Sequence, residues 1–168
     1  MARRPKTARA GHANKGIEAA YRRELDRLIG EMSNSFEYWL AAAYKANPPR
    51  MEVAQEESEL AQDALPSDFL SKRITELSRR WIKRFDDMAK DIAERFASRT
   101  ERTTSASFQS ALKDAGWAVK FQMTPVMRDA VNAVIKDNVA LIKSIPRQYA
   151  LEVEGIVMRG FSRGRDLK

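Results

Sequence analysis

Few side chains of this sequence could carry out catalysis. The chain has no cysteine and one histidine, His12, so thiolate nucleophiles, disulfides and zinc–thiolate sites are excluded and one imidazole remains. His12 lies in a polar N-terminal stretch that no hydrophobic pattern anchors, whereas a general base must be held in place to be useful. The sequence contains neither a GxGxxG nor a GxxxxGK[ST] nucleotide loop. We therefore expect no enzymatic activity, no catalytic residues and no cofactor.

Carboxylates are concentrated in one segment, but their spacing does not suit a metal ion. Glu56, Glu57 and Glu59 are close in sequence, yet adjacent residues of a helix point in different directions. A calcium loop needs alternating ligands and a turn glycine, which this segment lacks. We interpret residues 47–67 as an acidic linker and expect no metal site.

Basic residues are the better candidates for binding. The net charge is +7, which attracts nucleic acid, acidic proteins and anionic lipid alike. The first acidic residue is Glu18, and the residues before it show no hydrophobic periodicity, so residues 1–15 are predicted to form a flexible basic arm. The predicted nucleic-acid-binding residues in the arm are Arg3, Arg4, Lys6 and Arg9.

A second basic cluster lies further along the chain, at Arg79-Arg80 and Lys83-Arg84. The acidic residues Asp86, Asp87 and Asp91 lie about one helical turn away from it. Since opposite charges at this spacing form ion pairs on a helix surface, we expect the cluster to be an ion-paired surface. The alternative is that its basic side chains contact phosphate.

Two long helices are predicted from apolar residues that recur every three or four positions. The first covers residues 16–46 and ends before Asn47-Pro48-Pro49. The second starts after an N-cap at Ser67 or Asp68, is interrupted in the Ser/Thr-rich stretch Ser98–Ser107, and ends at a C-cap at Gly116. The two apolar stripes consist of Ile17, Tyr21, Leu25, Leu28, Met32, Phe36, Trp39 and Ala43, and of Leu70, Ile74, Leu77, Trp81, Phe85, Met88, Ile92 and Phe96.

The C-terminal part is predicted to be a helical pair. Trp117–Met123 alternates apolar with small or polar residues and indicates an extended segment. Thr124-Pro125 indicates an N-cap followed by proline at the first helical position, and Pro146 should break this helix and begin another. The first helix carries a coiled-coil-like seam that a partner helix must cover. The predicted protein-interaction residues are Met127, Val131, Val134, Leu141, Ile145, Val153, Ile156 and Phe161.

The predicted fold is therefore mainly α, with several long amphipathic helices, a C-terminal helical pair and one short extended segment. The domain organisation is a basic arm (1–15), a long helix (16–46), an acidic linker (47–67) and a helical domain (68–168). No apolar run approaches the roughly 20 residues that span a bilayer, so we expect no membrane span.

The stretch from Ala115 to Lys168 resembles the phage Mu F-like head-morphogenesis family of minor head or capsid proteins. The most specific phrases are NVALIKSIP, at Asn138–Pro146, and VEGIVMR, at Val153–Arg159. The resemblance implies a portal-associated component that helps procapsid assembly or DNA passage in the phage head, assembled in the cytoplasm of a bacterial host. It implies no catalytic residues. Because the family continues past this region, we expect the chain to be the N-terminal portion of a longer protein.

Two functions from different classes follow from these patterns. In the first, the chain is a structural assembly protein whose partners are a portal protein and a capsid or scaffold protein, with homo-oligomerisation as a further option. In the alternative, it is a basic nucleic-acid-binding accessory of phage DNA packaging that contacts DNA through the arm. Both interpretations depend on surfaces and not on a catalytic centre.

Overall fold

Three long helices make up the structure. The computed structural model describes residues 14–46, 64–118 and 120–162, and in these ranges the helices are α1 (Lys15–Ala46), α2 (Ala64–Asp114) and α3 (Pro125–Ser162). No strand occurs in the same ranges. The prediction of a mainly α fold is therefore confirmed.

Asn14 caps the start of α1. Its side-chain Oδ1 accepts hydrogen bonds from the backbone amides of Gly16 at 3.0 Å and Ile17 at 3.3 Å, which satisfies two donors that a helix start leaves unpaired. The helix predicted at 16–46 is confirmed to within one residue. Its buried residues all come from the predicted stripe and are Leu28, Met32, Phe36 and Ala43.

The start of α2 was predicted too late in the chain. The helix begins at Ala64 and not after a cap at Ser67 or Asp68. Pro66 therefore lies in its first turn, where proline is tolerated because those amides have no partner within the helix. Of the predicted acidic linker, residues 47–63 lie outside the described residues.

The predicted interruption at Ser98–Ser107 is wrong. α2 runs through it as one helix of 51 residues. The Thr100 hydroxyl donates to the Phe96 carbonyl at 2.9 Å, so it bonds to the preceding turn of the helix and does not draw the backbone out of it. Ala97, at the edge of this stretch, is buried and ties the helix to the core.

The predicted C-cap at Gly116 is confirmed. Gly116 has a φ of 84°, a left-handed conformation that glycine adopts without steric cost. Its amide donates to the Lys113 carbonyl at 2.9 Å, and the amide of Trp117 donates to the Leu112 carbonyl at 2.9 Å. These two bonds define a Schellman motif, which satisfies carbonyls at the end of α2.

The connection between α2 and α3 is non-helical, as predicted. Residues 117, 118 and 120–124 form neither helix nor strand, so the period-two pattern there corresponds to an irregular connection and not to a paired strand. The amide of Met127 donates to Thr124 Oγ1 at 3.2 Å, which confirms the predicted cap before Pro125.

α3 does not break at Pro146. It is one helix of 38 residues with this proline inside, so the predicted C-terminal helical pair is wrong. Pro146 is fully buried, and the apolar contacts of its ring offset the helix hydrogen bond that its missing amide cannot make. In the turn before it, the Ser144 hydroxyl donates to the Leu141 carbonyl at 2.8 Å.

The buried face of α3 also differs from the predicted seam. Leu141 was expected to be covered, yet 64% of its surface is exposed. The residue after it, Ile142, is buried instead, which shifts the covered face by about 100° around the helix. The buried residues of α3 are Ile142, Pro146, Ala150 and Val157.

The chain divides into two compact units, and each unit takes part of all three helices. The described residues within Met1–Leu25 and Met88–Ala140 form unit 1, and those within Asp26–Asp87 and Leu141–Lys168 form unit 2. The boundaries therefore fall inside the helices and not in the connections between them.

Unit 2 has a core of large side chains. Phe36 of α1 contacts Tyr149 of α3 edge to face, with ring centroids 5.2 Å apart, and the Tyr149 hydroxyl shares a 2.9 Å hydrogen bond with Ser33. Aromatic pairs of this kind add to the gain from burying their area. The contribution of α2 to this core is Leu70, Ile74, Leu77, Trp81 and Phe85, all buried.

Unit 1 has a thinner core. Its fully buried apolar residues all belong to α2 and are mostly alanines: Ala89, Ile92, Ala93 and Ala97. Because alanine removes little apolar area from water, this core is stabilised less per residue than that of unit 2. No described residue of α3 in unit 1 is fully buried, which leaves the apolar side chains of its first turns available for other contacts.

Alanine substitutions at two glycines test these backbone assignments. Nothing lies within 4 Å of a Cβ added at Gly116 or Gly30, but only Gly116 has a positive φ. Gly116→Ala should lower the free energy of unfolding by about 1 kcal/mol. Gly30→Ala, inside α1, should raise it by about 0.5 to 1 kcal/mol. Urea denaturation followed by circular dichroism measures both changes, and a gain at Gly116 would contradict the Schellman motif.

Candidate protein-interaction site

An apolar groove lies in unit 1 between α2 and α3. Its volume is about 350 Å³, which is within the range of ligand-binding clefts. Most of the described side chains that line it are apolar or carry a single hydroxyl, and Glu101 is the one charged residue among those described. The lining residues are Phe96, Ala97, Thr100, Glu101, Thr104, Ser105, Phe121, Met123, Met127, Ala130, Val131 and Val134.

Two helices supply the walls of this groove. On α2 the lining residues run from Phe96 to Ser105, and on α3 they run from Met127 to Val134. Both sets recur at intervals of three and four, so each forms one continuous side of its helix. The small side chains of the α2 wall, such as Ala97 and Ser105, leave the space that the groove occupies.

The connection between α2 and α3 contributes Phe121 and Met123 to the lining of the groove. Two contacts hold it against α2. The backbone amide of Phe121 donates to Gln109 Oε1 at 2.7 Å, and the ring of Phe121 meets that of Phe108 edge to face at 5.1 Å. The position of this part of the lining is therefore fixed by both a hydrogen bond and an aromatic contact.

α1 supports the groove from outside. The ring of Tyr21 lies 4.5 Å from that of Phe96, and its hydroxyl donates to Asn138 Oδ1 at 3.3 Å. The Asn138 amide in turn donates to the Val134 carbonyl at 3.0 Å. Tyr21 thus connects a residue of the α2 wall with the α3 turn that carries Val134. Burial raises the pKa of Tyr21 above its usual value of 10.0.

No described residue of α1 lines the groove itself. The first turns of α1 lie beside a separate, smaller cavity of about 40 Å³, where Ile17 and Tyr21 meet Phe96 and Arg99. α1 begins at Lys15. In the groove, the apolar sides of α2 and α3 are therefore not covered by α1.

Apolar side chains around the groove are open to solvent. The exposed fraction is 40% at Met127, 49% at Val134 and 77% at Val126, which is next to the groove but does not line it. Trp117 and Phe108 are also exposed, at 62% and 48%. Neighbouring apolar residues exposed in this way are typical of a binding surface, whereas scattered ones are not.

The structure brings together three of the eight predicted interaction residues. Met127, Val131 and Val134 all line the groove. The other five belong to unit 2. Of these, Leu141 and Ile156 are exposed at 64% and 57%, and the half-buried ones are Ile145, Val153 and Phe161.

The sequence reasoning missed the α2 wall. Thr100, Thr104 and Ser105 belong to the stretch in which an interrupted helix was predicted, so their shared side was not considered. A usable signal was present: small residues at helical spacing follow directly after the apolar stripe that ends at Phe96. Such a run on a continuous helix indicates a side that another chain can approach closely.

The remaining predicted sites are placed as follows. The candidate nucleic-acid-binding residues Arg3, Arg4, Lys6 and Arg9, and the single histidine, His12, lie outside the described residues. Within the described ranges, no group of three or more His, Cys, Asp or Glu side chains is arranged to hold a metal ion. No helix in those ranges is long and apolar enough to cross a membrane.

Comparisons of the chain with protein-family models, curated proteins and solved structures give no match.

Removing the hydroxyl of Tyr21 tests whether its hydrogen bond to Asn138 stabilises the helices around the groove. Tyr21→Phe keeps the ring on Phe96 but loses the hydrogen bond to Asn138, so the free energy of unfolding should fall by about 0.5 to 1.5 kcal/mol at neutral pH. Because the folded-state pKa of Tyr21 is raised, the stabilisation by its neutral hydroxyl is complete below about pH 10 and is lost as the pH rises through the folded-state pKa. The difference between the two proteins should therefore shrink above about pH 10.

Urea denaturation of both proteins between neutral pH and pH 11 measures this difference. Tyr38→Phe is the matched control, since Tyr38 is 67% exposed and its substitution should leave the free energy of unfolding unchanged. An equal effect at both tyrosines would show that the Tyr21 hydroxyl has no special role.

Proposed function

We propose that the chain is an assembly protein that binds a helix of a protein partner in the groove of unit 1. More specifically, we propose that it is a minor head-morphogenesis protein of a tailed bacteriophage, which acts in the phage head. The observation that carries the proposal is the groove itself, with two helical walls and no α1 residue over them. Its function is to join components and not to catalyse a reaction.

The dimensions of the groove support a helical occupant. The α2 wall spans nine residue steps and the α3 wall seven, which at about 1.5 Å per step correspond to roughly 14 and 10 Å. Two to three turns of a helix have this length. An amphipathic helix with apolar residues at positions i, i+3 or i+4, and i+7 would bury its stripe against both walls.

The carboxylate of Glu101 indicates which side chains a helix bound in the groove should carry. Glu101 is half-buried among apolar and hydroxyl side chains. Covering a carboxylate without a partner is unfavourable, because the charge loses its water and gains nothing in return. The occupant should therefore carry a lysine or arginine beside its apolar stripe.

The phage assignment is supported by the resemblance of Ala115–Lys168 to the Mu F-like head-morphogenesis family. The α3 wall of the groove, from Met127 to Val134, lies within this stretch. We therefore propose that the partner is the portal protein, with a capsid or scaffold protein as the next choice, and that assembly takes place in the bacterial cytoplasm. The chain would help procapsid assembly or the passage of DNA.

Two valine substitutions on α3 test the groove. Val134→Lys places an ammonium group in the apolar lining, and we expect it to weaken binding of the portal protein at least tenfold, or about 1.4 kcal/mol. Val126→Lys is the matched control: it makes the same chemical change in the same unit, but Val126 is outside the lining and 77% exposed. Calorimetric titration of the portal protein into each variant measures both affinities.

The salt dependence of the complex separates this proposal from the alternative, a DNA-packaging accessory that acts through the N-terminal arm. A portal complex held by apolar contacts should persist at high salt, whereas binding through the arm should weaken steeply. Equal affinity of the Val134→Lys and Val126→Lys variants for the portal protein would exclude the groove as the binding site.

A further inference from the structure

The outer side of α2 in unit 2 carries a basic surface, which consists of Lys72, Arg79, Arg80 and Lys83. We expected the basic residues from Arg79 to Arg84 to be neutralised by the acidic residues that follow them in sequence. Among the residues that the structure describes, none of these acidic residues forms an ion pair with the basic cluster.

The neighbouring charges are used in contacts between helices. Arg84 forms its ion pair with Glu31 of α1 and lies over the ring of Trp81, 5.0 Å from its centroid. Asp86 faces α3, where Lys143 Nζ lies 3.6 Å from its Oδ1. The expectation of an ion-paired cluster within α2 is therefore wrong: Arg84 and Asp86 pair with the other two helices, and Asp87 and Asp91 form no ion pair with a described residue.

The basic surface is left unneutralised by this arrangement. Glu76 lies beside it but pairs with Arg73 at 2.9 Å. Among the residues that the structure describes, none of the four basic residues of the surface has an ion-pair partner within 4.0 Å. All four side chains are exposed. The nearest acidic residues that form no ion pair with a described residue are Asp68, four positions before Lys72, and Asp87, four positions after Lys83.

Helical geometry places these cations on one side. Lys72, Arg79 and Lys83 are separated by seven and four residues, which returns them to nearly the same direction around the helix. That direction is opposite to the buried residues Ile74 and Trp81. From Lys72 to Lys83 the surface extends about 16 Å along the helix axis.

We propose that this basic surface binds the phosphate backbone of nucleic acid. A row of cations without ion-pair partners on one side of a helix matches the regular negative charge of a nucleic-acid strand, and binding releases counterions from the nucleic acid. Arginine side chains bind phosphate oxygens through two parallel hydrogen bonds. Phe69 is exposed one turn before Lys72, but none of the four residues of the surface is apolar, whereas a helix that lies on a membrane needs a continuous apolar side to insert. The proposal is independent of the groove in unit 1.

Salt-dependent binding to DNA tests the proposal. Fluorescence anisotropy of a short labelled duplex would be followed with the full chain and with the variant Arg79→Gln/Arg80→Gln/Lys83→Gln, from about 50 to 200 mM salt. Each phosphate contact contributes about 0.9 to the slope of log affinity against log salt, so losing three should reduce the slope by roughly 2 to 3. Glutamine keeps the helix propensity, so the helical circular dichroism should not change.

A matched control separates this surface from net charge. The variant Arg27→Gln/Lys45→Gln/Arg147→Gln removes three exposed cations of the same unit that lie on α1 and α3, and its salt slope should stay close to that of the unmodified chain. A second variant, Arg79→Lys/Arg80→Lys/Lys83→Arg, keeps the charge and should keep the slope.

Three results would overturn the proposal. The unmodified chain could fail to bind duplex DNA at low salt, or the two glutamine variants could lose the same amount of slope. As a third result, the variant Arg79→Gln/Arg80→Gln/Lys83→Gln could keep its DNA affinity but lose binding to phosphatidylserine vesicles, which would identify the surface as a membrane contact.

Discussion

The apolar side of α2 is the constraint on which both units depend. Its buried residues run from Leu70 to Ala97 and supply the fully buried apolar residues of α2 in both units. Its composition changes along the helix, however, from the large residues Trp81 and Phe85 to the small residues Ala89, Ala93 and Ala97. In unit 2 the large residues fill a core between three helices. In unit 1 the alanines bury little area, so the stability of that unit depends more on single contacts such as Tyr21 with Phe96.

The groove follows from the same change. Beyond Ala97 the side of α2 continues as Thr100, Thr104 and Ser105, which are too small to reach across to Met127 and Val134 on α3. Larger residues at these positions would fill the space and complete a core within the chain. The sequence instead leaves two apolar walls with a gap between them. A third helix from another molecule would restore in unit 1 the three-helix packing that unit 2 achieves alone.

Local signals in the sequence predicted most of the fold. The stripes of α1 and α2, the glycine at the end of α2 and the Thr124-Pro125 cap are each decided by a few neighbouring residues. All are confirmed except for one residue of the α1 stripe, Trp39, which is exposed. The errors at Pro146 and in Ser98–Ser107 have different causes: Pro146 is buried against the other helices, whereas in Ser98–Ser107 the Thr100 hydroxyl bonds to the preceding turn of the helix and does not draw the backbone out of it. The buried side of α3 could not be predicted either. Leu141 and Ile142 are equally apolar, and only the positions of α1 and α2 decide which one is covered.

In the proposed complex, Glu101 would discriminate between helices that could bind in the groove. An entirely apolar helix would bury about as much area as an amphipathic one, but it would leave this carboxylate covered and unpaired. The free-energy cost of burying an unpaired charge is larger than the free energy gained from an exposed ion pair. A helix with a lysine or arginine next to its stripe avoids that cost. Discrimination of this kind works against wrong partners more than it strengthens binding to the right one. Under the proposed function, the apolar walls would not bind every hydrophobic segment, because a segment without a positive charge would bury Glu101 unpaired.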